Sequence, residues 1–324
     1  MKKIFFLFPV IIFIISLSGC DYVEIPQQVG NSNTPPPASG KVRKILVEDY
    51  TGHKCGNCPR GAEALESLKQ SYGDKIVGIA IHVGSGVGAN AVPVPPNPKP
   101  ADAPTGSFAA DFRTSVGQDY YDATFNMEAA GLPGGMINRI GFPTNTHDVI
   151  YTNWGSKVAG IITTAPDAGI NITIAYDAGT RTLTTNIQPE FLNILTGTYK
   201  LVVLLTEDSI IDWQEDYNYN PNPSIQNYVF RDVLRDAINN AWGDTIANGT
   251  TNAGVLPAKN YSYTIPSAYP TTSSFSSAYP ISVPSSKTTN CNDSNCYVVA
   301  FIYNATQNDP KQYEVIQAER KKIR

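Results

Sequence analysis

Apolar residues run almost unbroken from Ile4 to Leu17, behind Lys2 and Lys3, and only Pro9 and Ser16 interrupt them. A membrane-spanning helix needs about 20 apolar residues. This run instead passes through Ser18-Gly19 into Asp21 and Glu24 without a basic flank. The pattern predicts a cleaved signal peptide over residues 1–19. From Asp21 to Gly40 the balance reverses, with Pro26, Pro35, Pro36 and Pro37 among Asn, Ser, Gln and Gly. Such a segment has too little apolar surface to offset the entropy of ordering. Residues 20–43 therefore read as a flexible stalk that, at ~3 Å per residue if largely extended, reaches tens of ångströms.

From Lys44 the pattern becomes that of a folded domain. Ile45, Leu46 and Val47 open a buried strand that runs to Tyr50, and a turn at Thr51-Gly52 leads into Cys55. Ala62, Leu65, Leu68 and Tyr72 then recur at helical spacing. Pro59 falls in the first turn, where its missing N–H has no intrahelical partner to lose, and Gly73 is the natural stop. Lys75 to Val83 reads as a second buried strand through Ile76, Val77, Ile79 and Ile81, giving a β-α-β unit with parallel strands. Residues 84–105 carry Pro93, Pro95, Pro96, Pro98, Pro100 and Pro104 and read as an inserted surface loop. Beyond it the pattern predicts a helix over Phe108–Phe125, a strand over Met136–Ile140 entered through Gly131-Leu132-Pro133-Gly134-Gly135, and a closing helix marked by Trp154, Val158, Ile161 and Ile162. The domain then spans residues 44–166.

After Pro166 the period changes to two. Ile170, Ile172 and Ile174 alternate with polar residues, Asp177-Ala178-Gly179 turns the chain, and Thr182–Gln188 pairs back. Tyr199–Thr206 reads as a buried strand, Tyr228–Asn239 as strand or helix, and Tyr261–Ile265 as a short strand. Cys296–Asn304 and Gln312–Lys322 are joined across Asp309-Pro310. This spacing predicts an all-β sandwich of immunoglobulin-like type over residues 167–324.

Composition agrees with about two packed units, since 42% of the residues are hydrophobic. A net charge of −4 leaves no basic surface to neutralise phosphates, so nucleic acid is excluded as a partner class. The eighteen tyrosines, several beside prolines as in Tyr217-Asn218-Tyr219-Asn220-Pro221, offer flat surfaces to a sugar or protein ligand, or else pack strands and loops.

The five cysteines divide into Cys20, Cys55 with Cys58, and Cys291 with Cys296. Leu17-Ser18-Gly19-Cys20 resembles the lipobox of bacterial lipoproteins. The resemblance implies a diacylglyceryl group on Cys20, which becomes the mature N-terminus and anchors the chain to a membrane through two acyl chains. An exported chain meets an oxidising compartment, so either remaining pair is able to form a disulfide. Cys291 and Cys296 flank the turn-rich Asn292-Asp293-Ser294-Asn295 with no helix after them, and are expected to form a structural disulfide that fixes the loop.

Strand, Cys55-Gly56-Asn57-Cys58, helix, strand and a later Pro133 opening a strand together resemble the thioredoxin fold. The string Thr51-Gly52-His53-Lys54-Cys55-Gly56-Asn57-Cys58-Pro59-Arg60, with Met136-Ile137-Asn138-Arg139, is similar to the twenty-eight-kilodalton outer-membrane-protein family of bacterial lipoproteins. The expected architecture is thus an α/β thioredoxin-like domain followed by the all-β immunoglobulin-like sandwich. The family likeness also implies an outer-membrane address, with surface exposure open.

The resemblance implies site roles. Cys55, expected at the helix N-terminus with Lys54 beside it, is the attacking thiol, and Cys58 resolves the mixed disulfide. Pro133 corresponds to the cis-proline beside the pair. Asp49 stands where a buried acid relays a proton to the resolving cysteine, with Glu48 competing because adjacent strand residues face opposite sides. Lys54 replaces the usual aromatic residue and Gly56-Asn57 is an unfamiliar intervening pair, so the potential is not transferable. Three chemistries stay open for Cys55–Cys58: exchange with a protein thiol or disulfide, a permanent staple in a surface-binding or adhesion protein, and copper or zinc ligation with His53. Covalent haem fails because Pro59 occupies the required histidine position, and the expected site needs no cofactor.

The lipobox carries its own test. Cys20→Ser is expected to move the protein out of the membrane fraction and to remove the diacylglyceryl mass from its N-terminus. An unchanged mass with retained membrane attachment would refute lipidation.

Overall fold

The computed structural model describes residues 41–83, 102–104, 107–108, 110–127, 131–269 and 289–324. Cys20, the signal segment and most of the proline-rich insertion lie outside them. In chain order, β1 (Ile45–Thr51), α1 (Pro59–Tyr72), β2 (Ile76–His82), α2 (Ser115–Gln118), β3 (Gly134–Ile137), β4 (Val149–Ile150) and α3 (Trp154–Ile161) precede a strand-only remainder. That remainder begins with β5 (Ala168–Asp177), β6 (Thr182–Phe191), β7 (Leu195–Glu207), β8 (Ile210–Glu215), β9 (Ser224–Phe230) and β10 (Val233–Ala237). It continues through β11 (Asp244–Thr251), β12 (Gly254–Val255), β13 (Lys259–Thr264), β14 (Ala268–Tyr269), β15 (Thr289–Asn290), β16 (Cys296–Asn304) and β17 (Val315–Lys322). Among the described residues no helix is long and apolar enough to cross a membrane.

One nine-stranded mixed sheet runs β17-β16-β7-β10-β2-β1-β3-β4, with β11 also on β7. β1, β2 and β10 are mutually parallel where they pair, and the other pairings are antiparallel. All seven residues of β1 and all seven of β2 are buried, the mark of strands covered on both faces. One face carries a continuous core that joins Leu46, Tyr50 and Ile79 to Val202, Leu204 and Phe301. The opposite face is covered in two parts. Over β1–β3, α1 and α3 lay Leu65, Leu68, Trp154 and Val158 on Ile45, Val47 and Ile137. Over β7 and β16, a four-stranded sheet of β5, β6, β12 and β13 packs Ile170, Ile172, Leu183 and Ile187 on Leu201, Val203 and Ala300.

This corrects the expected architecture. The chain is mostly β, with few helices, and residues 44–166 do not form a separate thioredoxin-like α/β domain. Nor do residues 167–324 form an independent immunoglobulin-like sandwich, since β7, β10, β16 and β17 continue the sheet that β1 and β2 begin. The physical reason is edge pairing: Val233 of β10 lies in register with Ala80 of β2, so the edge that β2 would expose is consumed by a strand from beyond Pro166. The helix expected over Phe108–Phe125 shrinks to α2, capped by Thr114 Oγ1 accepting from Gly117 N–H at 2.9 Å, and a π-helical turn, Asp119–Thr124. Tyr228–Asn239 resolves into the end of β9 and β10.

At the centre of the continuous core lies an ion pair. Arg139 Nε and Nη2 donate to Glu48 Oε2 and Oε1 at 2.8 and 2.6 Å, with both side chains at 0% exposure. The guanidinium also lies 4.5 Å from the Tyr120 ring centroid and 4.8 Å from those of Phe125 and Phe301. Removing one partner of such a pair strands a buried charge. Glu48→Gln is therefore expected to cost ~3–5 kcal/mol in chemical denaturation, whereas Glu48→Leu with Arg139→Met recovers most of that loss. A Glu48→Gln cost below ~1 kcal/mol would show that the pair is not desolvated.

Candidate functional site

The site lies where β1 leaves the sheet and α1 begins. Cys55 and Cys58 are joined by a disulfide. Cys58 caps α1, which starts at Pro59, and its N–H donates to Cys55 O at 3.0 Å. Cys55 thus sits one turn ahead of the helix and Cys58 at its cap, each earlier than expected. Cys55 is partly exposed while Cys58 is 1% exposed, so an incoming sulfur reaches Cys55 first.

Beneath the pair lies Asp49, 1% exposed. Its Oδ1 accepts no hydrogen bond, and burial, reinforced by Asp232, pushes its carboxyl up to about 8. A buried acid with no neighbouring cation to compensate its charge stays neutral where solvent-exposed carboxyls ionise. Gly61 separates Asp49 from Pro133: a Cβ at that position would lie 3.0 Å from Asp49 Oδ1 and 3.0 Å from Pro133 Cβ. The Leu132–Pro133 peptide is cis. The choice between Glu48 and Asp49 as the inward residue dissolves, because the sheet is covered on both faces. Glu48 enters the aromatic core, and Asp49 faces α1.

Asp49 and Cys58 line one cavity of about 290 Å³, together with Leu65, His82, Tyr228 and Phe230. His82 and His53 are 2% and 1% exposed. Neither ring nitrogen of His82 has a hydrogen-bond partner, and burial, with His53 and Arg235 nearby, holds it well below the usual imidazole range. His53 Nδ1 donates to Trp213 O at 2.7 Å, and its ring lies 4.5 Å from Phe112 and 4.7 Å from Phe230. That packing engages His53 in an aromatic cluster while both neighbouring sulfurs are spent on the disulfide, so the alternative of a His53–Cys55–Cys58 metal set loses its ligands. Lys54 is also buried, and desolvation lowers its ammonium to about 8, opposed by Glu215.

The hairpin of β8 and β9 supplies what sequence reasoning missed. Its residues 213–217 run beside the cysteine loop: Glu215 N–H donates to His53 O at 2.8 Å and Tyr217 N–H to Gly56 O at 2.9 Å. Gln214 Nε2 donates to Gly52 O and Cys55 O at 3.2 and 3.1 Å, and Arg60 donates to Asp216. The Tyr217 ring lies flat enough on Gly56 that a Cβ there would come within 2.3 Å of it, which explains a glycine between the cysteines. Tyr217 remains 55% exposed against Gly56, and Tyr219, at the other end of the same turn, is 61% exposed. Their run of aromatic and proline residues was the only hint in the sequence.

Cys291 and Cys296 differ from expectation. They are buried thiols with sulfurs 3.6 Å apart, and the expected structural disulfide is not formed. Their loop is held without it. Asn292 N–H donates to Glu207 Oε1 at 2.7 Å, Arg181 Nη2 to Cys291 O at 3.0 Å, and Asp293 pairs with Arg181 and Arg324.

The family model for outer membrane protein Omp28 matches residues 118–279. Among solved structures, HBP35 of Porphyromonas gingivalis is similar at a TM-score of 0.56 and 14% identity, over 87% of this chain and 76% of that one. At that identity the likeness concerns the fold, a β-rich one. A protein of Agrobacterium tumefaciens superposes at a TM-score of 0.42 with 12% identity, over 88% of this chain and 96% of that one. No curated protein matches the sequence.

Asp49 makes stability depend on pH. The unfolded carboxyl ionises near 3.8 and the folded one near 8, so between those values the folded chain holds the extra proton. The stability this confers is complete below pH ~4 and is lost as pH rises towards ~8. In the oxidised protein, Asp49→Asn is expected to raise stability by ~2–4 kcal/mol at pH 7 and by little at pH 4. Thermal denaturation at the two pH values checks this, and an equal gain at both would point to a cause other than ionisation.

Proposed function

The chain belongs to the Omp28 outer membrane protein family, and from that envelope address and the geometry around Cys55 we propose that it exchanges disulfides with an envelope protein while lipid on Cys20 holds it at the membrane. The observation that carries the reading is the asymmetry of the pair: a reachable Cys55 sulfur bonded to a buried Cys58 that shares a cavity with the neutral acid Asp49. A substrate thiolate attacks Cys55 Sγ and breaks the Cys55–Cys58 bond. Cys58 leaves as thiolate and takes the Asp49 proton. A second substrate thiol gives its proton back to Asp49 and attacks the substrate sulfur of the mixed disulfide, and Cys55 leaves as a thiolate that takes from solvent the proton the first substrate thiol released there. The substrate loses two electrons and two protons and the cysteine pair gains them, and the reverse direction runs the same steps backward. The tyrosines of the hairpin offer a rim on which a protein substrate rests, and Pro133 flanks the site as a positioning residue.

A second reading, a surface-binding protein in which Cys55–Cys58 is a fixed staple, draws on the hairpin bonds that clamp residues 52–56. Trapping separates the two. Cys58→Ala is expected to accumulate a reductant-sensitive adduct with an envelope protein that disappears in Cys55→Ala/Cys58→Ala. Absence of any adduct, with a midpoint potential far below about −300 mV, would establish the staple.

A further inference from the structure

The second cysteine pair sits in a cluster that the exchange chemistry does not use. Glu207 closes β7 and Cys296 opens β16, and the antiparallel register places them directly opposite each other. Cys291 returns to the same point across its four-residue loop. The carboxylate oxygen and the two sulfurs all lie within 4.8 Å of one another, at 2%, 6% and 0% exposure for Glu207, Cys291 and Cys296. We infer that Glu207, Cys291 and Cys296 form a binding site for a thiophilic divalent ion of filled d shell, zinc being the natural member of that class.

Three observations support it. Two thiolates on one tetrahedral zinc, each at about 2.3 Å, stand about 3.8 Å apart, and these sulfurs already stand at 3.6 Å. The donor set, two sulfurs and one carboxylate oxygen, suits zinc better than the harder magnesium or calcium. Glu207 is also oriented from outside the cluster. Asn292 N–H donates to its Oε1, and Arg235 Nε lies 3.3 Å from its Oε2. Arg235 is brought there by the β10 register shift between Leu234 and Asp236, and its guanidinium lies over the Tyr269 ring at 4.3 Å.

The charges close as well. Without metal, Glu207 and Arg235 form an ion pair beside two free cysteine thiols. When a divalent ion binds, both thiols lose their protons to solvent, so +2 enters as two protons leave, and the buried cluster keeps its net charge. A buried site that gained or lost a full charge would carry a heavy desolvation cost. This one does not. No electrons move, and the oxidation states of both sulfurs are unchanged.

Cobalt(II) is the test probe, because thiolate ligation gives it a near-ultraviolet charge-transfer band. The full chain, reduced and handled without oxygen, is expected to bind one cobalt per chain with that band, to release two protons, and to surrender the cobalt to zinc. Cys55→Ser/Cys58→Ser is expected to keep the band and Cys291→Ser to lose it. Glu207→Gln, which retains the side-chain volume, is expected to weaken zinc at least tenfold in competition with a chromophoric chelator. A Cys291–Cys296 disulfide in protein alkylated directly from cells would overturn the inference. So would a band that vanishes in Cys55→Ser/Cys58→Ser but survives Cys291→Ser, or unchanged affinity in Glu207→Gln. None of these readouts involves disulfide exchange, so the site stands or falls separately from the proposed activity.

Discussion

Glu48 and Arg139 meet in a bidentate pair with no solvent exposure, at the point where β1, the turn after β3 and the aromatic side chains of the C-terminal strands converge. Taking two charges out of water costs several kcal/mol per ion, and only good geometry with further stabilisation of the cation offsets it. Both are present, since two hydrogen bonds join the pair and three rings surround the guanidinium. The pair therefore tolerates one arrangement of β1. With Glu48 committed to that face, strand alternation sends Asp49 to the other, beneath α1 and beside Cys58. The acid of the candidate site is placed by an ion pair on the opposite side of the sheet.

The same junction ties the chain's two halves together. Leu46 N–H donates to Asn138 Oδ1 at 2.7 Å, and Val315 N–H at the start of β17 donates to Asn138 O at 2.8 Å. Lys44, just before β1, pairs with Glu319 of β17 at 2.6 Å. Lys69 of α1 and Arg320 of β17 both meet Asp232, which is itself buried beside β10. These contacts make the cysteine loop part of one continuous structure. Disturbance of the C-terminal strands should reach Cys55 through the sheet.

The hairpin over the cysteine loop gives the site a dual character. It supplies backbone and amide donors that order residues 52–56, and it places the exposed Tyr217 against Gly56, the residue after Cys55. Order of the first kind restrains the loop; surface of the second kind stays open to solvent. An oxidising envelope setting is compatible with exchange, and it is equally the setting in which a fixed disulfide persists. The buried acid bears on that choice, since burial keeps the Asp49 carboxyl neutral in the cavity it shares with Cys58.

Much of this was legible in the one-dimensional pattern. The uninterrupted apolar runs of β1 and β2, the helix stop at Gly73 and the alternation of β5 and β6 follow from local periodicity, and they lie where the pattern puts them. The cysteine spacing and Asp49, six residues upstream, were likewise visible. What periodicity does not encode is the partner across each strand edge. Seven consecutive buried residues say that both faces are covered, not that β10 from far downstream covers one edge. Tertiary structure alone therefore decided that one sheet replaces two domains, that Glu48 and Asp49 are both buried, that β8 and β9 arch over Cys55, and that Glu207 stands opposite Cys296. The division has one cause: which way a side chain points is set by the backbone within a few residues, whereas what it meets is set by pairings between segments tens to hundreds of residues apart.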